Sequence, residues 1–161
     1  MLGVSFARIV VANGSSGTHA GLAAGLVSAG RLVSAGRDPS RILSFAVLKP
    51  AAETREQTVT LAREALEQLD GDAAFDGAGI AVDGSELGDG YGVPTPAMLE
   101  AVRLMARSEG LLLDPVYGGK AFAGLLAMIR GGHSSRGDAV LFVMTGGPPG
   151  LFAYRSAFRA G

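Results

Sequence analysis

Three apolar runs constrain this chain most: Phe6–Ala12 (FARIVVA), Ile42–Leu48 (ILSFAVL) and Ala139–Thr145 (AVLFVMT), far apart and separated by stretches of helical spacing. Apolar runs of this kind form strands buried on both faces of a parallel sheet. Parallel neighbours need long crossovers, usually helices. The expected fold class is therefore α/β, a mostly parallel open sheet flanked by helices. The spacing predicts helices from about Thr18 to Gly30, over Glu53–Leu69, from Thr95-Pro96 to about Glu109, and over Gly118–Arg130. In the second of these, Leu61, Ala65 and Leu69, with Ala62 and Leu66 beside them, make the apolar face. Thr95 is the N-cap and Pro96 the first-turn proline of the third, which Gly110 stops. Brief extended pieces are expected at Gly79–Val82 and Leu111–Leu113, and a short helix within Gly150–Phe158.

A chain of 161 residues is large enough for one core, and a domain of this size buries roughly 68–70% of its unfolded surface. No domain boundary is visible, so residues 1–161 are read as a single domain. A net charge of −1 leaves no electrostatic footprint for nucleic acid. Cysteine is absent, which excludes disulfides, zinc thiolates and thiol catalysis, and two histidines are too few for a histidine-rich metal site. No apolar run approaches the ~18 residues of a membrane span. The start, MLGVSFARIVVA, has no charged leader pattern, so a cytoplasmic protein is expected. The sequence LVSAGR at Leu26–Arg31 recurs at Leu32–Arg37, an insertion rather than a structural repeat. The chain also opens almost directly on a buried-type strand with nothing before it to cover or pair it, which suggests that an upstream part is missing.

Glycine, 25 of 161 residues, clusters between the apolar segments, where tight turns and close ligand approach need it. Three such junctions carry chemistry. Asn13-Gly14-Ser15-Ser16-Gly17-Thr18 joins a strand to a helix, so that backbone N–H groups and hydroxyls converge where an anion is favoured. It has neither the Gly-Lys-Ser/Thr ending of a Walker A loop nor a GxGxxG pattern, and a plain turn is an equal reading. In Asp114-Pro115-Val116-Tyr117-Gly118-Gly119-Lys120, Tyr117 is placed to present its ring at the strand ends, although an isolated tyrosine is more often a core residue. Lys120, in a first helical turn, opposes the helix dipole and is expected to be solvated. Thr145, followed by Gly146-Gly147-Pro148-Pro149-Gly150, ends the last strand, again at the ligand edge, although alone this run too could be a turn.

Together, GSSGTHAGLAAGL, GYGVPTPAMLEAVRLMARSEGLLLDPVYGGKAFAGLL and VLFVMTGGPPGLFAY resemble the D-cysteine desulfhydrase and 1-aminocyclopropane-1-carboxylate (ACC) deaminase family of pyridoxal-phosphate enzymes, from about Ala7 to Tyr154. The resemblance implies the tryptophan-synthase-β fold, pyridoxal phosphate as cofactor, a small amino acid as substrate and a homodimer. It implies that Gly14, Ser15, Ser16, Gly17 and Thr18 cradle the cofactor phosphate. Tyr117 matches the tyrosine that stacks on the pyridine ring with its hydroxyl near the substrate. Thr145 matches the threonine that desulfhydrase-like members place on the pyridine nitrogen. Deaminase-like members have an apolar residue there and a glutamate after the tyrosine; Gly118 follows Tyr117 here, which fits neither subgroup. Thr145 favours the desulfhydrase side.

In that family the Schiff-base lysine lies upstream of the phosphate loop, in a motif like Gly-Asn-Lys-x-Arg-Lys, with a helper serine and the loop for the substrate carboxylate. This chain has two lysines, Lys49 and Lys120, and neither matches that position. The nearness of Lys120 to Tyr117 leaves a rewired site conceivable. The expectation is a C-terminal portion that keeps half a cofactor site and is inactive alone. The alternatives are the C-terminal half of a split enzyme that needs a partner chain, and a non-catalytic binder of a phosphorylated small molecule.

Overall fold

A computed structural model describes residues 5–32, 38–70 and 75–159. The second copy of LVSAGR lies largely outside the described residues. Four strands, β1 (Arg8–Asn13), β2 (Ile42–Ala46), β3 (Ala81–Asp83) and β4 (Val140–Val143), form one sheet in the order β3-β2-β1-β4. Every pairing is parallel, with Ile9 beside Ile42 and Leu141, and Leu43 beside Ala81. The helices are α1 (Gly17–Leu32), α2 (Ala51–Asp70), α3 (Pro96–Glu109), α4 (Gly118–Arg130) and α5 (Arg155–Arg159), the last preceded by a 3-10 segment at Pro148–Tyr154. None is long and apolar enough to cross a membrane.

Alternation along the strands divides the core. Val11 and Ile42 face α1 and α2, where Ala20, Ala23, Ala24, Ala62 and Leu66 are buried. Val10 and Phe45 face the other way, onto Ala121 and Leu125 of α4. Small residues let these helices sit close to the sheet. At Gly124 an added Cβ would overlap the Phe45 ring, so α4 rests directly on β2. Helix α3 packs on the outside of α4 through Met98, Val102 and Met105, with Leu113 sealing the joint. The Phe122 and Phe142 rings meet edge to face, 5.4 Å between centroids.

The expected α/β architecture is present, with three local departures. Leu111–Leu113 joins no described strand; Leu113 is buried against α3, whereas Leu111 and Leu112 are exposed. Leu69, expected on the buried face of α2, is 63% exposed, because the core cluster ends at Leu66, one turn earlier. Lys120, expected to be solvated, is 0% exposed.

Candidate functional site

The strand order creates a crevice. From β1 the chain passes through α1 to β2 and on to β3, then returns to set β4 on the opposite side of β1. Where connections from adjacent parallel strands diverge in this way, the space beyond their carboxyl ends is the usual ligand site. The loops after β1 and β4 leave the sheet there, and the residue just before α4, Tyr117, closes the third side. The cleft has a volume of about 400 Å³ and is lined by Ala12, Gly14, Ser15, Thr18, Leu48, Tyr117, Thr145, Gly146 and Gly147.

Two glycines let the three loops touch. A Cβ on Gly14 would lie 3.0 Å from the Tyr117 ring, and one on Gly147 would lie 3.0 Å from the Asp114 carboxyl carbon. Asp114 is buried and fixes Tyr117 from below. Its Oδ1 accepts from the N–H groups of Val116 (2.9 Å) and Tyr117 (2.6 Å), and its Oδ2 from Gly118 (2.8 Å). A carboxylate on these free N–H groups caps α4 and complements its dipole.

Of the residues expected to cradle a phosphate, the structure brings Gly14, Ser15 and Thr18 to the cleft wall, together with Tyr117 and Thr145. Gly17 opens α1, and Ser16 is turned away. Its hydroxyl donates to the Thr54 carbonyl at 3.3 Å, which leaves only its backbone facing the loop. At φ 69° Ser16 is left-handed, a conformation that turns successive N–H groups into an anion-binding concavity. The tie to Thr54, with Ala20 N–H donating to the Ser16 carbonyl at 2.9 Å, holds that conformation.

Sequence reasoning missed two parts of the site. Under the loop lies a buried polar knot that joins β1, β2, α1 and α2. The Asn13 amide donates to Ser44 Oγ (2.9 Å) and Thr58 Oγ1 (3.2 Å), His19 Nδ1 lies 2.8 Å from Ser44 Oγ, and Thr58 donates to the Thr54 carbonyl (2.7 Å). Burial lowers the His19 imidazole to about 4, so it is neutral beneath the loop at neutral pH. Asn13 and His19 flank the glycine-serine loop in sequence, the one signal that could have found them. The second omission is Tyr91. Its hydroxyl lies 2.7 Å from that of Tyr117, with the rings edge to face at 6.1 Å. That hydrogen bond, with burial and the neighbouring Asp114 charge, pushes the Tyr117 hydroxyl up to about 12. A tyrosine between two glycines in a long loop, Gly90-Tyr91-Gly92, was the available hint.

Neither lysine lines the cleft. Lys49 donates to Gln57 at 3.2 Å on α2. Lys120 donates to the carbonyls of Leu87 (2.6 Å) and Gly90 (3.0 Å).

A lining that combines Gly14, Ser15 and Thr18 at the start of α1 with Tyr117 and Thr145 suits a phosphorylated aromatic ligand. The family model described as pyridoxal-phosphate dependent enzyme matches residues 1–146. The chain belongs to this family. It is 36% identical over 160 residues to a 1-aminocyclopropane-1-carboxylate deaminase of Burkholderia vietnamiensis, a match that covers 99% of this chain and 45% of that protein. The crystal structure of an ACC deaminase homologue superposes with a TM-score of 0.78 at 31% identity, covering 98% of this chain and 45% of the other. The chain thus spans about half the length of these relatives. Its sheet and helices have the architecture of the tryptophan-synthase-β-like, fold type II pyridoxal-phosphate enzymes. The cofactor of the family is pyridoxal phosphate.

Proposed function

We propose that residues 1–161 form the C-terminal cofactor-binding part of an ACC deaminase-like or D-cysteine desulfhydrase-like enzyme. This part grips pyridoxal phosphate but does not itself supply the lysine that anchors the cofactor. The observation that carries the reading is the cleft at the switch point, lined by Gly14, Ser15, Thr18, Tyr117 and Thr145 and by neither lysine. Bound pyridoxal phosphate supplies an electron-withdrawing ring that stabilises negative charge at the α-carbon of an amino acid.

The chain's own residues bind and orient. Backbone N–H groups from Gly14 to Thr18, with the Ser15 and Thr18 hydroxyls, hold the phosphate at the start of α1. The Tyr117 ring would pack against the ligand ring, and its hydroxyl stays protonated at neutral pH, able to donate. Thr145 would offer a neutral hydroxyl to the ring nitrogen, which would make the ring a weaker electron sink than a carboxylate partner would. That choice favours the desulfhydrase-like subgroup, whereas the Burkholderia relative carries the deaminase name. Proton transfer at the α-carbon requires a lysine from another segment or a partner chain.

The test mixes this chain with the part of the Burkholderia protein that it does not match, and assays ammonia and sulfide release from ACC and D-cysteine. Release is expected from the mixture alone, and Thr18→Ala should lower it by at least tenfold through weaker cofactor binding. Turnover by the isolated chain would overturn the reading. An inactive mixture that still binds pyridoxal phosphate would point instead to a non-catalytic binder.

A further inference from the structure

Lys120 is the one fully buried lysine among the described residues, and the proposed chemistry does not use it. A buried ammonium is costly unless it is hydrogen-bonded and electrostatically compensated. Here a single loop supplies the hydrogen bonds and part of the compensation, although burial still holds the Lys120 ammonium below its ordinary value. The Leu87 and Gly90 carbonyls accept from Nζ at 2.6 and 3.0 Å, and the carboxylates of Glu86 and Asp89 in the same loop favour its charge against the cost of burial. Glu86 is correspondingly raised by its own burial and by Asp83, and pulled back by Lys120.

The loop needs such a tie. Gly88, Gly90 and Gly92 have φ of +63°, +150° and +72°, a backbone that fixes little of its own shape. Two side chains from elsewhere grip it: Lys120 before Tyr91, and Tyr154 after it, whose hydroxyl donates to the Gly92 carbonyl at 2.7 Å. Between the two grips stands Tyr91, with its hydroxyl 2.7 Å from that of Tyr117. Lys120 and Tyr117 are less than one turn apart at the start of α4, so the same helix end that presents Tyr117 also holds the loop that meets it.

We infer that Lys120 is a positioning residue: by holding the Leu87 and Gly90 carbonyls it sets the Tyr91 hydroxyl against that of Tyr117 at the mouth of the cleft. A methionine there would fill the same space, but it has no donor with which to gather two carbonyls. The role also accounts for a lysine in the first turn of a helix, where the dipole opposes it. Its functional meaning rests on the reading of Tyr117 as a wall of the cofactor cleft, whereas the contact from Lys120 to Tyr91 to Tyr117 exists without any ligand.

The chain is produced with 3-fluorotyrosine, and the fluorine resonances of Tyr91, Tyr117 and Tyr154 are assigned from single Tyr→Phe variants. In Lys120→Met the Tyr117 resonance is expected to move to the position it takes in Tyr91→Phe. Pyridoxal phosphate should then bind several-fold more weakly, while inorganic phosphate, held by the Gly14–Thr18 loop, binds as before. A folded Lys120→Met chain whose Tyr117 resonance stays in place would overturn the inference. Failure of the wild type to bind pyridoxal phosphate would count against the cofactor reading and leave the fluorine result to stand alone. If Lys120→Met does not fold, amine labelling with mass-spectrometric mapping decides. Lys120 should resist labelling in the wild type and react in Gly88→Ala, where the added methyl would lie 2.6 Å from Thr95 Cγ2 and displace the loop. Labelling of wild-type Lys120 as fast as Lys49, or an unreactive Lys120 in a folded Gly88→Ala, would overturn it.

Discussion

Burial of His19 makes the floor of the Gly14–Thr18 loop sensitive to acid. The folded imidazole titrates at about 4 against 6.5 for an ordinary histidine. Between those values the unfolded chain binds the proton and the folded chain does not, so stability falls as the pH drops. A shift of this size corresponds to about 3 kcal/mol, at 1.36 kcal/mol per pH unit, lost by pH 4. Urea melts of the wild type and of His19→Gln at pH 7.5 and 4.5 check this. The wild type should lose more stability over that interval than the variant, and equal losses would show that His19 is not held neutral. This network was hidden in the sequence, because Asn13 finds its partners Ser44 and Thr58 at separations of 31 and 45 residues. Lys120 was hidden for the same reason, as the loop it holds lies 30 and 33 residues away. Gly14, Ser15, Thr18 and Thr145 were legible as candidates because each sits at a glycine-rich junction after a strand, and Tyr117 because it stands between a proline turn and a helix start. The fate of Ser16 was not, since the Thr54 carbonyl that claims its hydroxyl belongs to another helix.

Among the elements, the contact between α4 and β2 decides how the third wall of the cleft is placed. A glycine inside a helix usually costs about 0.5–1 kcal/mol relative to alanine, so Gly→Ala normally stabilises. At Gly124 the sign should reverse. The added methyl would overlap the Phe45 ring, and overpacking of this kind costs about 1–3 kcal/mol. Thermal unfolding of Gly124→Ala should therefore show a lower Tm than the wild type; an unchanged or higher Tm would mean that α4 does not rest on Phe45. Elements with their own end signals were readable locally. Helix α3 begins after Thr95, whose side chain accepts from Met98 N–H at 3.2 Å, and ends at Gly110 with φ 68°. Leu111–Leu113 is apolar enough for a strand but has no ladder partner among the described residues, and strand pairing is a property of the neighbours, not of the segment. Leu69 continues the helical spacing of α2 past the point where the core stops.

At the scale of the whole molecule, the α/β class could be read from three apolar runs, but the order β3-β2-β1-β4 could not, because nothing local records which edge a strand joins. That order brings the loops after residues 13 and 143 and before residue 118 to one cleft. The family resemblance anticipated the grouping, and the sheet supplies its physical cause. The chain spans 45% of the Burkholderia protein, and its two lysines are engaged with Gln57 and with the Leu87 and Gly90 carbonyls, away from the cleft walls. On the proposed reading, these positions mean that the chain would bind the cofactor without covalent attachment. The most direct measurement incubates the purified chain with pyridoxal phosphate, reduces it with borohydride, and maps any adduct by mass spectrometry. The expected result is scattered labelling far below one adduct per chain, from a chain that nevertheless binds the cofactor reversibly and releases it to excess phosphate. A stoichiometric adduct confined to Lys120 or Lys49 would contradict it, and would show that this chain carries an anchoring lysine of its own.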